Sequence, residues 1–530
     1  MFNCLFQKNC ISELIILEYS NRFMKKLSSV LLLLLYVISA FTQSLPRSIP
    51  EAEGVSSAAI IRFIDAYQTK KHELHSVMII RHGKVIAEGW WSPYRADLKH
   101  SMYSVSKSWT STAIGFAVDE KKLSVDDKVI SFFPEYASLS SKPYLADLKV
   151  KDLLTMSVGH AKEMFERVFM QADWAKGFLE IPIVNVPGTK FLYNTLATYM
   201  LSAIVQKVTG QTVMDYLQPR LFTPLGISGI DWEMNYKGIN TGGWGIRVKT
   251  EDMAKLGLLY LNQGKFNGKQ ILSADWVKEA TGKQIEQNPS ATQEKKDSSD
   301  WLQGYGYQFW RCRNNAFRAD GAFGQYIVMM PELDAVVVIT SESLDLQDDL
   351  NMIWKYLLPA FNTTALNPDP KSLRQLKKKT NRLKLDPPVS HLRKGDEHLL
   401  NTTFALTANA FDFRNLTIQK KKKNWSLQIE TKDKKTHLIP LGFEAWSFGE
   451  TKLVGPYLLR PAPVNFGLLD PFKVAGSCRW LDGQTLEVTV RYIESPHHWT
   501  MTMKLEEGQL KLKMINSYNP ETVIEITGKQ

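Results

Sequence analysis

The sequence predicts an α+β fold, an antiparallel sheet flanked by helices with a helical insertion, followed by a C-terminal all-β barrel or sandwich domain. Three observations predict it. Strand-like runs open and close the region 44–362 while helical patterns fill its middle. A basic, proline-bearing stretch over 363–400 then interrupts the pattern. Beyond it, over 401–530, short alternating apolar runs recur between Gly-containing turns.

Taken in order, Ser56 to Thr69 reads as an amphipathic helix, with Ile60, Ile61, Phe63, Ile64 and Tyr67 on its apolar side. The runs from Ser76 to Arg81 and from Lys84 to Trp91 flank His82-Gly83 and predict a hairpin. A helical pattern begins near Ser104 and continues to Val118. Further helices are expected from Leu196 to Val208, from an N-cap at Thr250 through Leu261 to a stop at Gly264, and after Ser273. The polar stretch 284–300 reads as a loop. Strands return from Tyr305 to Trp310, from Gly324 to Met330 and from Ala335 to Thr340. In the C-terminal region the alternating runs 425–430, 485–492, 499–504 and 509–513 predict a meander, punctuated by Asp482-Gly483 and Glu507-Gly508.

At 530 residues the chain exceeds what one hydrophobic core usually organises. Its 44% hydrophobic and 22% charged composition is that of an ordinary globular protein. The net charge of +11 is concentrated. Seven basic residues and no acid lie between Lys371 and Lys384, and Lys420 to Lys423 adds four lysines. These read as a solvated linker and a hairpin tip, so no broad basic face is left to track a nucleic acid.

The N-terminal segment carries Met24-Lys25-Lys26, an apolar run from Leu27 to Ala40 and small residues before Gln43. A basic start, a short apolar run and a small-residue end describe a secretory signal peptide. The run is short of the roughly 20 residues a membrane span needs. Residues 1–43 are therefore expected to be a signal peptide with an upstream extension, and the protein to be exported, periplasmic or secreted. Cys4 and Cys10 fall in this leader, which leaves Cys312 and Cys478 as lone thiols, neither a disulfide framework nor a zinc site. No metal or organic cofactor is implied.

The chemistry is expected at Ser104-Val-Ser-Lys107. A free serine hydroxyl is a weak nucleophile that needs a base within hydrogen-bond reach. Residues three apart on a helix share a face, so Lys107 stands one turn beyond Ser104. If desolvated, its neutral amine can take the serine proton. His497-His498 near Glu494 offers a weaker metal alternative, because adjacent residues on a strand edge point to opposite faces. No G-x-S-x-G elbow is present.

The stretch from His100 to Val118 resembles the active-site helix of class C β-lactamases and their esterase and amidase relatives, and its continuation from Asp119 to Glu135 resembles the family segment C-terminal to that helix. Lys151 to Gly159 and Pro187 to Thr195 match further family segments in the same order. Gly242 to Gly257 and Gly304 to Trp310 resemble especially the branch containing 6-aminohexanoate-dimer hydrolase. The resemblance covers about residues 50–360. It implies a serine hydrolase acting on a small ester, amide or peptide, with Ser104 as nucleophile and Lys107 as base. It also implies that Tyr193, from the family's Y-x-N motif, assists proton transfer to the leaving group. Thr195 stands where that motif has Asn, and Ala319-Asp320-Gly321 where the family has K-T-G or H-x-G. The implied oxyanion hole is the backbone N–H of Ser104 and of Ala322, with Thr195, Asp320 and Gly321 lining the substrate. The missing cation at Ala319 argues against efficient β-lactam hydrolysis. Two other functions stay open: a catalytically silent binding scaffold and a D,D-peptidase of cell-wall peptides.

Overall fold

The computed structural model describes residues 44–70, 72–459, 462 and 464–530. The expected signal peptide, with Cys4 and Cys10, lies outside the described residues. Helix α1 (Ser57–Lys70) is followed by the hairpin β1 (Glu73–Arg81) and β2 (Lys84–Trp90). After the helical insertion come β3 (Trp310–Arg311), β4 (Phe317–Gly321), β5 (Gln325–Met330) and β6 (Ala335–Glu342). They form one antiparallel sheet in the order β2-β1-β6-β5-β4-β3.

Strand periodicity explains why these runs are almost continuously apolar. In β1 and β6, Val77, Ile79, Val337 and Ile339 point into one core with Ile60, Phe63, Ile64 and Tyr67 of α1. The alternate residues Met78, Ile80, Val336 and Val338 point into the larger core formed with the helical insertion. A sheet covered on both faces has no polar side to show.

The insertion contributes α2 (Ser106–Asp119), α3 (Thr195–Thr209), α4 (Thr250–Leu261) and α5 (Ala274–Thr281). Ser273 caps α5 as expected, accepting the Trp276 N–H at 3.2 Å. Three details differ from the sequence expectation. Thr250 is the first helical residue of α4 rather than its cap; the preceding Lys249 N–H is satisfied by the Asp252 carboxylate at 3.3 Å. The polar stretch 284–300 holds a short helix, Gln293–Ser298, capped by Thr292. The expected strand from Tyr305 is confined to Trp310–Arg311. Gln308, with φ 66°, turns the chain there, and its buried amide donates to the Leu154 carbonyl at 2.7 Å and accepts from Thr198 at 2.6 Å.

The segment expected as a linker carries α6 (Pro370–Thr380), which buries Leu376 and ties Lys379 to Asp65 of α1. The C-terminal region comprises β7 (Thr403–Leu406), β8 (Phe413–Lys421), β9 (Asn424–Thr431), β10 (Thr436–Phe443), β11 (Ser447–Thr451), β12 (Phe472–Trp480), β13 (Thr485–Tyr492), β14 (His498–Glu506), β15 (Gln509–Asn516) and β16 (Asn519–Lys529). Nine of them run in the order β10-β9-β8-β7-β16-β15-β14-β13-β12, and a parallel pairing of β10 with β12 closes the ring into a barrel. Trp480, Trp499, Met501, Met503, Leu510 and Leu512 fill its interior. The lysines from 420 to 423 sit at the turn of the β8–β9 hairpin.

The barrel is docked on the first domain by apolar packing, with Tyr94 and Leu98 against Ala475 and Ile493, and by polar contacts. Arg491 pairs with Glu73 (Nη2 to Oε2, 3.2 Å), Lys99 with Asp470 at 2.6 Å, and Arg247 with Glu494 at 3.4 Å. The Tyr94 hydroxyl donates to the Ser495 carbonyl at 3.0 Å. Cys312 and Cys478 are both free and buried, one in each domain. Among the described residues no helix is long and apolar enough to cross a membrane.

Candidate active site

Ser104 lies in a single 3-10 turn, Tyr103–Val105, that leads directly into α2, so the nucleophile candidate precedes the α-helix instead of riding on it. Tyr103 has φ 45°, a left-handed conformation uncommon for a residue with a side chain. The Lys107 Nζ lies 3.0 Å from Ser104 Oγ and donates to the Gly243 carbonyl at 2.8 Å. Lys107 is 1% exposed. Burial pushes its amine down to about 7, against the opposing pull of the carboxylates of Glu163 and Asp320. The amine is thus anchored on Gly243 and half neutral near pH 7, with Ser104 as its other neighbour.

Tyr193 approaches from the segment before α3. Its ring centre is 4.9 Å from Lys107 Nζ, and its phenol lies close enough to the Ser104 hydroxyl to feel its polarity. Burial raises the phenol well above its usual range, so it stays a neutral O–H donor. Trp310 stacks on the ring at 5.6 Å and Tyr305 meets it edge-on. Hydroxyl, amine and phenol, drawn from three separate segments, therefore converge.

Thr195 is the first residue of α3, with its N–H donating to the Glu163 carboxylate. The preceding Asn194 caps this helix, accepting from Ala197 N–H at 3.2 Å, and its amide meets His160 at 3.1 Å. The only amide of this motif is therefore committed to structure. A Cβ built on Gly243 would lie 2.8 Å from Thr195 Cγ2 and 3.5 Å from Lys107 Nζ, which places Thr195 across Gly243 from the amine.

Asp320 pairs with Arg318 at 2.7 Å. Arg318 is fully buried, its guanidinium 4.4 Å from the Trp301 ring centre. Two residues apart on β4, they share one face, and the Asp320 carboxylate, offset by Arg318, still acts electrostatically on the Lys107 amine. Gly321 abuts the Tyr103–Val105 turn: a Cβ there would fall 2.3 Å from the Met102 carbonyl oxygen. That contact sets the next residue, Ala322, beside the turn that carries Ser104. Gly321→Ala is expected to force the strand and turn apart, costing about 1–3 kcal/mol of stability in urea unfolding and most of the turnover.

Sequence reasoning missed two members of this site. Gly243 falls within the family-like segment from Gly242 to Gly257, but nothing in the sequence signals that its carbonyl holds the amine. Glu163 is a lone acid in an irregular stretch, and only folding brings it to the N-terminus of α3. The His497-His498 pair resolves differently from the expectation. His497 precedes β14, so strand alternation does not apply, and both rings approach Glu342, at 2.6 and 3.6 Å, while Glu494 turns to Arg247. Donor atoms of Glu73, Glu342 and His498 lie within 4.8 Å of one another, a geometry that could hold a metal ion. Arg491 pairs with Glu73, however, and His497 and Ser517 hydrogen-bond Glu342, so protein groups already occupy both carboxylates.

The Beta-lactamase family model matches residues 61–360. Among curated proteins, the chain is 23% identical over 279 residues to a 6-aminohexanoate-dimer hydrolase of Paenarthrobacter ureafaciens, covering 49% of this chain and 70% of that one. It is 24% identical over 165 residues to a D-aminopeptidase of Brucella anthropi, covering 28% of this chain and 31% of the relative. Among solved structures, an octameric penicillin-binding protein homologue from Pyrococcus abyssi aligns over 89% of this chain and 99% of its own, at 15% identity and a TM-score of 0.45. With more than half its length matched by that family model and the Ser104–Lys107 pair in contact, the chain belongs to the beta-lactamase family.

Proposed function

We propose that the protein is an exported hydrolase that cleaves an ester or amide through an acyl-enzyme on Ser104. Ser104 Oγ attacks the carbonyl carbon while its proton passes to the neutral Lys107 amine. The backbone N–H groups of Ser104 and Ala322 hold the negative oxygen of the tetrahedral intermediate. Collapse expels the leaving group, which takes the Tyr193 proton, and Lys107 returns its proton to Tyr193. Water then attacks the ester on Ser104 by the reverse sequence and releases the acid. Thr195 and Gly321 line the substrate. Asp320, tied to Arg318, fixes the polarity beside the amine.

The observation that carries this reading is a buried amine, lowered to about 7, in contact with a serine hydroxyl that also meets a neutral phenol. The substrate is a small ester, amide or peptide; the name of the Paenarthrobacter relative supports the amide branch. The test is a fluorophosphonate probe on the purified protein, followed by peptide mapping and a panel of nitrophenyl esters, short linear amides, D-amino-acid amides and a chromogenic cephalosporin. Labelling at Ser104 with turnover of an ester or amide is the expected result. A protein that never labels and turns over nothing would be the binding scaffold instead.

The pH profile has a definite sign. Below about 7 Lys107 is protonated and cannot accept the serine proton, so kcat/KM should rise tenfold per unit there and level off above about 8. A profile flat from pH 5 to 9 would remove Lys107 from the base role.

A further inference from the structure

One residue of the C-terminal barrel reaches both walls of the site. His497 is fully buried, and its Nε2 meets the Tyr103 hydroxyl at 2.7 Å. Its Nδ1 lies 2.6 Å from Glu342 Oε1, a carboxylate that also accepts from Ser517 at 2.6 Å. With Nδ1–H donating to Glu342, the ring is fixed in the tautomer whose Nε2 accepts the Tyr103 O–H. The Tyr103 oxygen in turn faces the Leu458 N–H, at the long distance of 3.5 Å, from the barrel's own loop. On its other side the imidazole packs edge-to-face on Phe323, ring centres 4.6 Å apart.

The two residues it holds are significant by position. Tyr103 immediately precedes Ser104, and Phe323 immediately follows Ala322. Both have left-handed backbones, φ 45° and 64°, which cost a non-glycine residue free energy and persist only when their surroundings enforce them. Tyr103 and Phe323 also meet each other edge-on at 5.6 Å. A hydrogen bond to one and a ring contact to the other make a single brace across the two N–H groups assigned to the oxyanion.

We propose that His497 is a positioning residue, through which the C-terminal barrel holds the Tyr103–Ser104 turn and the Ala322–Phe323 turn at the spacing that acyl transfer requires. The inference rests on the hydrolase reading of Ser104, and it makes the barrel part of the working site.

The test compares His497→Ala, His497→Gln and Tyr103→Phe in the full-length protein, by fluorophosphonate labelling, steady-state kinetics and amide hydrogen exchange. A small misplacement of reacting groups costs roughly 100-fold in rate. His497→Ala is therefore expected to lower kcat and the labelling rate by about that factor, with KM within about twofold. His497→Gln, which can still accept from Tyr103, should recover most of the loss. Tyr103→Phe, which removes the bond and keeps the ring, should lose rate without unfolding, and its effect should not add to that of His497→Ala. Exchange should quicken at 102–106 and 321–324 and stay unchanged in α3. Normal labelling by His497→Ala with unaltered exchange would overturn the brace and leave the hydrolase standing. A wild type that never labels, yet loosens at those two turns in His497→Ala, would sink the hydrolase and keep the brace. Exchange that rises equally everywhere would reduce His497 to a general stability residue and overturn the proposal.

Discussion

Ser104→Ala should abolish hydrolysis, lowering kcat by about 10,000-fold or more, as loss of a catalytic nucleophile does. The fold should survive. Ser104 is only half-buried, and the alanine methyl fits where the serine Cβ already sits. Lys107 keeps its bond to the Gly243 carbonyl at 2.8 Å, so the amine is not orphaned. The expected outcome is thus a protein that melts within a degree or two of the wild type, fails to label with a fluorophosphonate and turns over none of the panel. Residual turnover within tenfold of the wild type would place the nucleophile elsewhere.

Lys107→Met should produce the second-largest loss, about 1,000-fold, within the range for a general base. It should also raise stability. The folded chain holds this amine at about 7, while the unfolded chain holds it near the ordinary lysine value. Below pH 7 both states carry the proton and the folded state bears the whole cost of a buried charge. Between pH 7 and the usual lysine range only the unfolded state binds the proton, so stability contributed by this group rises with pH and the cost vanishes above that range. Methionine fills a similar volume without charge. At pH 6 the variant should therefore unfold at a higher urea concentration than the wild type, with the difference shrinking toward pH 10. A variant that is both inactive and less stable at pH 6 would mean that the amine contributes to folding rather than being imposed on it for chemistry.

The first domain was readable because its signals are local. The apolar stripe of α1 and the His82-Gly83 turn each fit within a short window, as does the three-residue spacing of Ser104 and Lys107. Features set by distant chain were not. The irregular 305–309 stretch depends on Gln308 reaching the carbonyl of Leu154, far away in sequence. The short strand β7 and the weakly alternating β10, β11, β12 and β16 exist because barrel neighbours complete their hydrogen bonds. α6 looked like a linker because its positive charges dominate; one buried leucine and the contact with α1 order it. Gly243, Glu163 and His497 share the same difficulty: each acts through a neighbour contributed by another part of the chain.

The closure of the barrel carries an arithmetic consequence. Around a ring whose members alternate up and down, an odd number cannot return to its starting point without two adjacent members heading the same way. Nine strands force that mismatch, and the chain places it between β10 and β12, where only Gly442 with Ser477 and Phe443 with Cys478 are in register. The eight remaining joints are antiparallel and mostly longer. The cylinder thus has two short zips, this parallel one and the equally brief β7–β16 joint, and the parallel one lies only two joints around the ring from the β13–β14 corner that delivers His497, so the seam where the strands run alike is set close to the corner that reaches the first domain.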